Sequence, residues 1–144
     1  MGSRKHNKAE QEKEAKKSLY FAKLTNNPSS PRKTRLMADL IRGVNVEKAI
    51  HILQFSAKES AIKLRKLLLS AIANWQSKNE GVRIEESNLY VKEVFVDGGR
   101  QTKRIRTAPQ GRAHRIRKRS SHITLIIDSR KEIAPVAAET TEIK

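Results

Sequence analysis

The segment from Arg100 to Arg119 carries nine Lys and Arg side chains and no Asp or Glu. Seven of the nine are arginines, whose planar guanidinium binds phosphate oxygens in pairs and stacks on exposed bases. A solvated basic loop would not explain both the length of the segment and its lack of acidic residues. The segment therefore predicts a surface that binds RNA of irregular structure. The residues expected to contact this RNA are Arg100, Lys103, Arg104, Arg106, Arg112, Arg115, Arg117, Lys118 and Arg119.

Residue types that support catalysis are scattered. The four histidines, His6, His51, His114 and His122, occur outside any metalloprotease, nucleophile-elbow or phosphate-loop motif. The chain has no cysteine, so a thiolate nucleophile and a disulfide are excluded. The sequence therefore predicts a protein that is not an enzyme and that has no cofactor and no catalytic or metal site.

Composition points to a polyanionic partner. The 144 residues have a formal net charge of +16 and suit one ordinary domain. The excess charge lies before residue 37 and between residues 97 and 119, whereas the stretch between them is nearly balanced. No run reaches the roughly 18 apolar residues of a membrane span, and the start lacks a secretion signal, so we expect a cytoplasmic protein that does not contact a membrane.

The first elements are predicted from turn and cap residues. A strand over residues 18–25 precedes the turn-forming residues 26–31. Ser30 should cap a helix that begins at Pro31, buries Leu36, Leu40 and Ile41, and ends at Gly43. Its first turns contain three basic residues, Arg32, Lys33 and Arg35. Because basic side chains at this end oppose the helix dipole, their presence here favours a role in binding phosphate.

Two more helices and two strands follow. One short helix spans about residues 46–55, and a long one begins with a capping box of Ser56 and Glu59. Its buried stripe should comprise Ala61, Leu64, Leu68, Ile72 and Trp75. The runs NLYVKEVFVD and SHITLIID, rich in Val, Ile and aromatic residues, predict antiparallel strands.

The roughly 20 residues between these strands are too many for an ordinary hairpin loop, so both strands should continue outward as a two-stranded arm about 30 Å long. Gly98 and Gly99 favour a bulge at its root, and APQG a turn with Pro109 in second position. Ile105 and Ile116 could pair across it.

The fold class predicted is α+β, with three helices packed on a small three-stranded antiparallel sheet and a long protruding β-hairpin. Residues 1–17 form a mixed-charge N-terminal extension. Residues 18–128 form one RNA-binding domain that includes the hairpin at 98–119. Residues 129–144 form a flexible C-terminal tail.

Four stretches resemble, in the same order, the bacterial family of large-subunit ribosomal protein number twenty-two. They are SPRKTRLMADLIRG, AIANW, NLYVKEVFVDGG and GRAHRIRKRSSHIT. The resemblance covers roughly residues 18–128 and implies a structural constituent of the large ribosomal subunit that binds 23S rRNA, supports assembly and contacts neighbouring ribosomal proteins. It also implies that the hairpin lines the nascent-peptide exit tunnel and touches the nascent peptide transiently, with no homo-oligomer.

Site residues follow from the matched positions. The resemblance implies that Ser30, Pro31, Arg32, Lys33 and Arg35 lie against 23S rRNA, and that Lys103, Arg104, Gly111, Arg112, Arg115, Lys118 and Arg119 belong to the hairpin pattern. The tunnel tip should comprise Arg106, Thr107, Ala108, Pro109 and Gln110. This tip departs from the M-P-R-A-K-G common in the family, because the proline is shifted and a basic residue is missing.

One alternative from another class stays open. Architectural DNA-binding proteins also use basic β-arms with a proline near the tip. Composition alone does not separate the two hypotheses.

Overall fold

A computed structural model of the chain describes residues 3–17, 19–79, 82–83 and 87–130. Within them lie helices α1 (Ser3–Lys17), α2 (Pro31–Ile41), α3 (Val46–Gln54) and α4 (Glu59–Lys78), and strands β1 (Tyr20–Asn27), β2 (Leu89–Thr107) and β3 (Ala113–Ser129). The fold is α+β with a three-stranded antiparallel sheet, as predicted. The described residues contain four helices where three were expected.

The additional helix is α1, in the segment predicted as a mixed-charge N-terminal extension. Its Lys, Glu, Gln and Ala residues have high helix propensity, and His6 lies 3.4 Å from Glu10 one turn away. Every side chain from Ser3 to Lys16 is exposed. Since α1 has no apolar face, it contributes nothing to the core. Beyond Arg130, the predicted C-terminal tail lies outside the described residues.

The sheet has the order β1-β3-β2, so β3 is central. Leu125 is opposite Ala22 on one side and Val94 on the other, and all three are buried. Alternate residues of β3, such as Ile123 and Ile127, face the helices. This alternation gives the sheet one face for the core and one that is partly exposed.

Helix α4 supplies most of the helical side of the core. Its predicted stripe is confirmed, since Ala61, Leu64, Leu68, Ile72 and Trp75 are all buried. Burial of such side chains stabilises the fold by roughly 1.5–3 kcal/mol for each large one. None of the described core residues belongs to the basic hairpin segment, so the core forms without it.

The predicted apolar face of α2 was partly wrong. Leu36 and Leu40 are each 54% exposed, whereas Met37, Ala38 and Ile41 are buried. Thr34, Met37, Ala38 and Ile41 follow the spacing i, i+3, i+4, i+7 and so form the stripe that faces the sheet. Leu36 and Leu40 lie outside that stripe.

The two predicted caps have different outcomes. Ser30 is the N-cap of α2 and Pro31 begins the helix, as predicted, although the Ser30 side chain makes no capping hydrogen bond. The cap predicted for α4 was wrong. Helix α4 begins only at Glu59, so Ser56 lies too far upstream to cap it, and its hydroxyl points instead at Met37 Sδ, 3.5 Å away. Glu59 pairs with Lys63 Nζ at 2.8 Å.

The outer edge of β2 is covered by the segment that follows α2. Gly43 N–H donates to Val91 O at 2.8 Å, and Val91 N–H donates to Val44 O at 2.9 Å. The positive φ of Gly43, +75°, allows the chain to turn here, as predicted. These bonds anchor the end of α2 to β2, the strand that continues into the basic hairpin.

Candidate nucleic-acid interface

The arm, which we define as residues 100–119, continues strands β2 and β3 beyond the core. Its ladder runs from the pair Gln101 and Arg119 to the pair Thr107 and Ala113. At about 3.3 Å per residue, the stretch of β3 from Ser121 to Ala113 covers roughly 26 Å. All arm side chains except Ala108 are exposed, so the cations are fully available to a partner.

Both faces of the arm are basic. The ladder register places Lys103, Arg115, Arg117 and Arg119 on one face and Arg104, Arg106 and Lys118 on the other. Arg100 lies at the root and Arg112 at the turn. An arm charged on both faces is suited to lie between two polyanionic surfaces rather than on one.

The predicted apolar clasp of the arm was wrong. Ile105 is opposite Arg115, and Ile116 is opposite Arg104. The two isoleucines therefore lie on opposite faces, and Ile105 is 75% exposed. Since like charges also repel one another along the ladder, the free arm has little internal stabilisation beyond its backbone hydrogen bonds.

A bulge marks the root of the arm, where Gly99 and Arg100 together oppose Ser120. Ser120 Oγ donates to Arg100 O at 2.6 Å. A Cβ on Gly99 would lie 2.7 Å from Ser120 Oγ and 3.1 Å from His122 Nε2. Close packing thus favours glycine at position 99, and the bulge occurs where the sequence predicted it.

The turn at the tip is shifted by one residue from the prediction. Arg112 N–H donates to Pro109 O at 3.4 Å, so Pro109 is first in the turn rather than second. Gln110 and Gly111 are central and have φ of +62° and +71°. Two positive φ values are typical of type I′ turns, whose twist matches that of a hairpin.

The basic residues at the start of α2 differ in whether they bond to the sheet. Arg32 and Lys33 are exposed in a first turn that contains no acidic residue. Arg35 instead donates from Nε and Nη2 to Val96 O, at 3.2 and 2.9 Å. It therefore ties α2 to β2 just before the root of the arm.

A cleft beside the root joins the arm to the body. This root cleft has a volume of about 360 Å³ and is lined by Asn26, Pro28, Arg100, Thr102, Lys118 and Arg119. Sequence analysis missed Asn26, whose N–H donates to His122 Nδ1 at 3.1 Å. Because the two residues are far apart in the chain, only the sheet register brings them together.

The described residues contain no group of His, Asp or Glu that could hold a metal ion. His122 accepts a backbone hydrogen bond through Nδ1 and has no carboxylate partner in the described structure. None of the helices within the described ranges is both long and apolar enough to cross a membrane.

The fold and the charge distribution define a class, that of small basic α+β proteins with a polycationic β-arm. Residues 22–128 match the family model described as Ribosomal protein L22p/L17e. The chain belongs to this family, whose members are structural proteins, which confirms the prediction that it is not an enzyme.

Relatives named large ribosomal subunit protein uL22 are similar over most of their length. The one from Christiangramia forsetii is 66% identical over 127 residues, which cover 88% of this chain and 94% of the relative. Those from Flavobacterium johnsoniae and Bacteroides fragilis are 61% and 58% identical, over 88% and 90% of this chain and 93% and 95% of the relatives. The predicted family resemblance is thereby confirmed.

Proposed function

We propose that this chain is a structural constituent of the large subunit of the cytoplasmic ribosome and binds 23S rRNA through the arm and the exposed start of α2. The observation that carries the proposal is the distribution of charge on the arm. Seven Lys and Arg side chains lie on the two faces of its ladder, two more lie at its root and turn, and the arm contains no carboxylate. Such a ribbon is marginal alone and is stabilised when phosphates lie against both faces.

The tip is proposed to line the exit tunnel for the nascent peptide. Its position about 26 Å beyond the core allows it to reach a partner that the body does not touch. Arg106 and Thr107 belong to the last two pairs of the ladder, and Ala108, Pro109 and Gln110 enter the turn. The single cation among these five residues would leave the tip less charged than the shaft behind it.

Assembly is the second role that we propose. An arm held straight by RNA on both faces connects RNA segments that otherwise repel each other, so its binding should favour compact folding of 23S rRNA. Exposed apolar side chains on the body, such as Leu36, Leu40 and Phe55, provide area for neighbouring ribosomal proteins. We expect no homo-oligomer.

Salt dependence of RNA binding tests the proposal. If the arm neutralises about eight phosphates, the log–log slope of affinity for 23S rRNA against salt should be about −6 to −7. A variant that lacks residues 103–115 should lose most of this slope. A shallow slope for the intact chain would show that the arm is not the contact.

Competition with duplex DNA tests the alternative of an architectural DNA-binding protein. We expect folded 23S rRNA fragments to retain the protein when duplex DNA is added at equal nucleotide concentration. In cells, the protein should sediment with the large subunit through a wash of moderate salt. Displacement by DNA, together with loss from the subunit, would reject the ribosomal role.

A further inference from the structure

A groove between β1 and α4 adjoins the root cleft. This body groove has a volume of about 430 Å³, within the range of small-ligand sites, and is lined by Leu24, Asn27, Pro28 and Leu67 and by the lysines Lys23 and Lys66. Asn26 and Pro28 line both the body groove and the root cleft. The two cavities are therefore adjacent, and together they define what we call the path from the arm to the outer edge of the sheet.

The charges along this path have the same sign. Arg100, Lys118 and Arg119 line the root cleft, and Lys23 and Lys66 line the body groove. Lys63, which also lines the groove, is paired with Glu59 at 2.8 Å. The path is thus complementary to a polyanion that passes from the arm onto the body, as an RNA backbone does.

The interior of the body groove suits a base rather than another phosphate. Leu24, Pro28 and Leu67 give it apolar walls. Unpaired RNA bases are bound by apolar or aromatic surfaces and by hydrogen bonds to their edges, whereas paired bases are inaccessible in the deep, narrow major groove of an RNA helix.

Asn27 provides an independent indication of a ligand. The residue is 2% exposed and its Nδ2 donates to Ser121 Oγ at 3.1 Å. Its Oδ1 has no hydrogen-bond partner among the described residues. A buried acceptor without a donor is unfavourable. Because Oδ1 is itself covered, the Asn27 side chain must rotate toward the groove before a ribose hydroxyl or a base amino group can donate to it and remove that cost.

We propose that the body groove binds one unpaired nucleotide of the RNA strand whose backbone continues through the root cleft to the arm. Lys23 and Lys66 contact the phosphates on either side of it, the apolar walls contact the base, and Asn27 accepts a hydrogen bond from the base or the ribose. This site rests on the proposed binding of 23S rRNA and extends it from the arm to the body.

Charge substitution gives the first test, with the full chain and 23S rRNA. The double variant K23A and K66A should bind about tenfold more weakly and lose about 1.4 from the magnitude of the salt slope, since each contact to a single strand contributes about 0.7. The control is K48A with K58A, which removes two exposed lysines that line neither cavity. Equal losses for both pairs would overturn the proposal.

Substitution of Asn27, which lines the groove, together with its hydrogen-bond partner Ser121 separates binding from folding. N27L combined with S121A removes both hydrogen-bonding partners, so the free protein should be as stable as the original or more stable. Its affinity for 23S rRNA should nevertheless fall about fivefold through loss of the acceptor. Unchanged affinity would show that Asn27 contacts no RNA.

Cross-linking gives the third test, because the chain has no cysteine and one can be introduced alone. S70C, at the rim of the groove, should carry a short photo-cross-linker onto an unpaired nucleotide, whereas Q54C on α3 should not give that product. Cross-links to base-paired nucleotides only, or to a neighbouring protein in the assembled subunit, would overturn the proposal. If the intact chain did not bind 23S rRNA at all, both the proposed function and the proposed groove site would be rejected. If the chain bound with a salt slope that depends on the arm but these tests failed, only the groove site would be rejected.

Discussion

Ser120 Oγ donates a 2.6 Å hydrogen bond to the carbonyl oxygen of Arg100, across the bulge from which the arm leaves the sheet. The two residues are opposite each other, and the extra residue Gly99 lies beside them. His122, next but one after Ser120, accepts from the N–H of Asn26 on β1. These hydrogen bonds therefore connect β3, at the root of the arm, to both of its neighbouring strands, β2 and β1.

Gly99→Ala should disturb this root. The added Cβ would lie 2.7 Å from Ser120 Oγ, so the hydroxyl must move and its bond to Arg100 O is weakened. We expect a loss of about 1–2 kcal/mol in the free energy of unfolding and weaker binding of 23S rRNA. Denaturant unfolding and filter binding measure the two effects.

Gly98→Ala is the matched control for this substitution. A Cβ at Gly98 meets nothing within 4 Å, and its φ is not in the left-handed region. We expect a change in stability within about 0.5 kcal/mol. Equal effects at positions 98 and 99 would mean that any added side chain weakens the root, and that close packing at Gly99 is not the cause.

Substitution by methionine should affect stability at Arg35 and RNA binding at Arg32. Arg35→Met removes two hydrogen bonds to Val96 O and should destabilise the fold by about 1 kcal/mol. Arg32 is exposed in the first turn, so Arg32→Met should leave the unfolding midpoint unchanged and weaken RNA binding. Thermal unfolding combined with RNA titration tests both; a stability loss in Arg32→Met would contradict this division.

A pH effect is expected at the pair of Lys92 and Asp128, whose Nζ and Oδ2 lie 2.7 Å apart. The hydrogen bond and charge of Asp128 raise the pKa of Lys92 above its ordinary value of 10.5. Because the folded pKa is the higher one, the stabilisation is complete below the unfolded pKa and is lost as the pH rises through the folded pKa.

Asp128→Asn tests this pair. The stability difference between the original chain and the variant should be constant at neutral pH and should shrink only above about pH 10.5. An NMR titration of the Lys92 side chain should show a lower pKa in the variant. The same pKa in both proteins would mean that the pair does not form in solution.

Deletion of residues 103–115 should leave the body folded. The residues of the hydrophobic core all lie between Ala22 and Val96 or between Ile123 and Ile127, so the deletion removes none of them. We expect one cooperative unfolding transition with a midpoint close to that of the intact chain. A broad, non-cooperative transition in calorimetry would show that the arm contributes to the core.

The sequence by itself determined the strands, the long stripe of α4, the bulge that follows Gly98 and the charge of the arm. These features depend on residue spacing and on glycine, proline and charge content, which are local properties. For the same reason the sequence alone carries the resemblance to the family to which the chain belongs. Local patterns misled at the turn, where Gln110 adopts a positive φ that residue type alone does not favour, and at the start of α4, where Ser56 forms no capping box.

Tertiary structure decided which side chains of each element meet a partner. On α2, Met37 and Ala38 are buried in place of Leu36 and Leu40, because the helix packs on the sheet through the stripe to which Met37 and Ala38 belong. Arg35 finds Val96 O, and Asn27 meets Ser121, across separations of 61 and 94 residues. Such contacts depend on how whole elements pack, and no local pattern of residues encodes that packing.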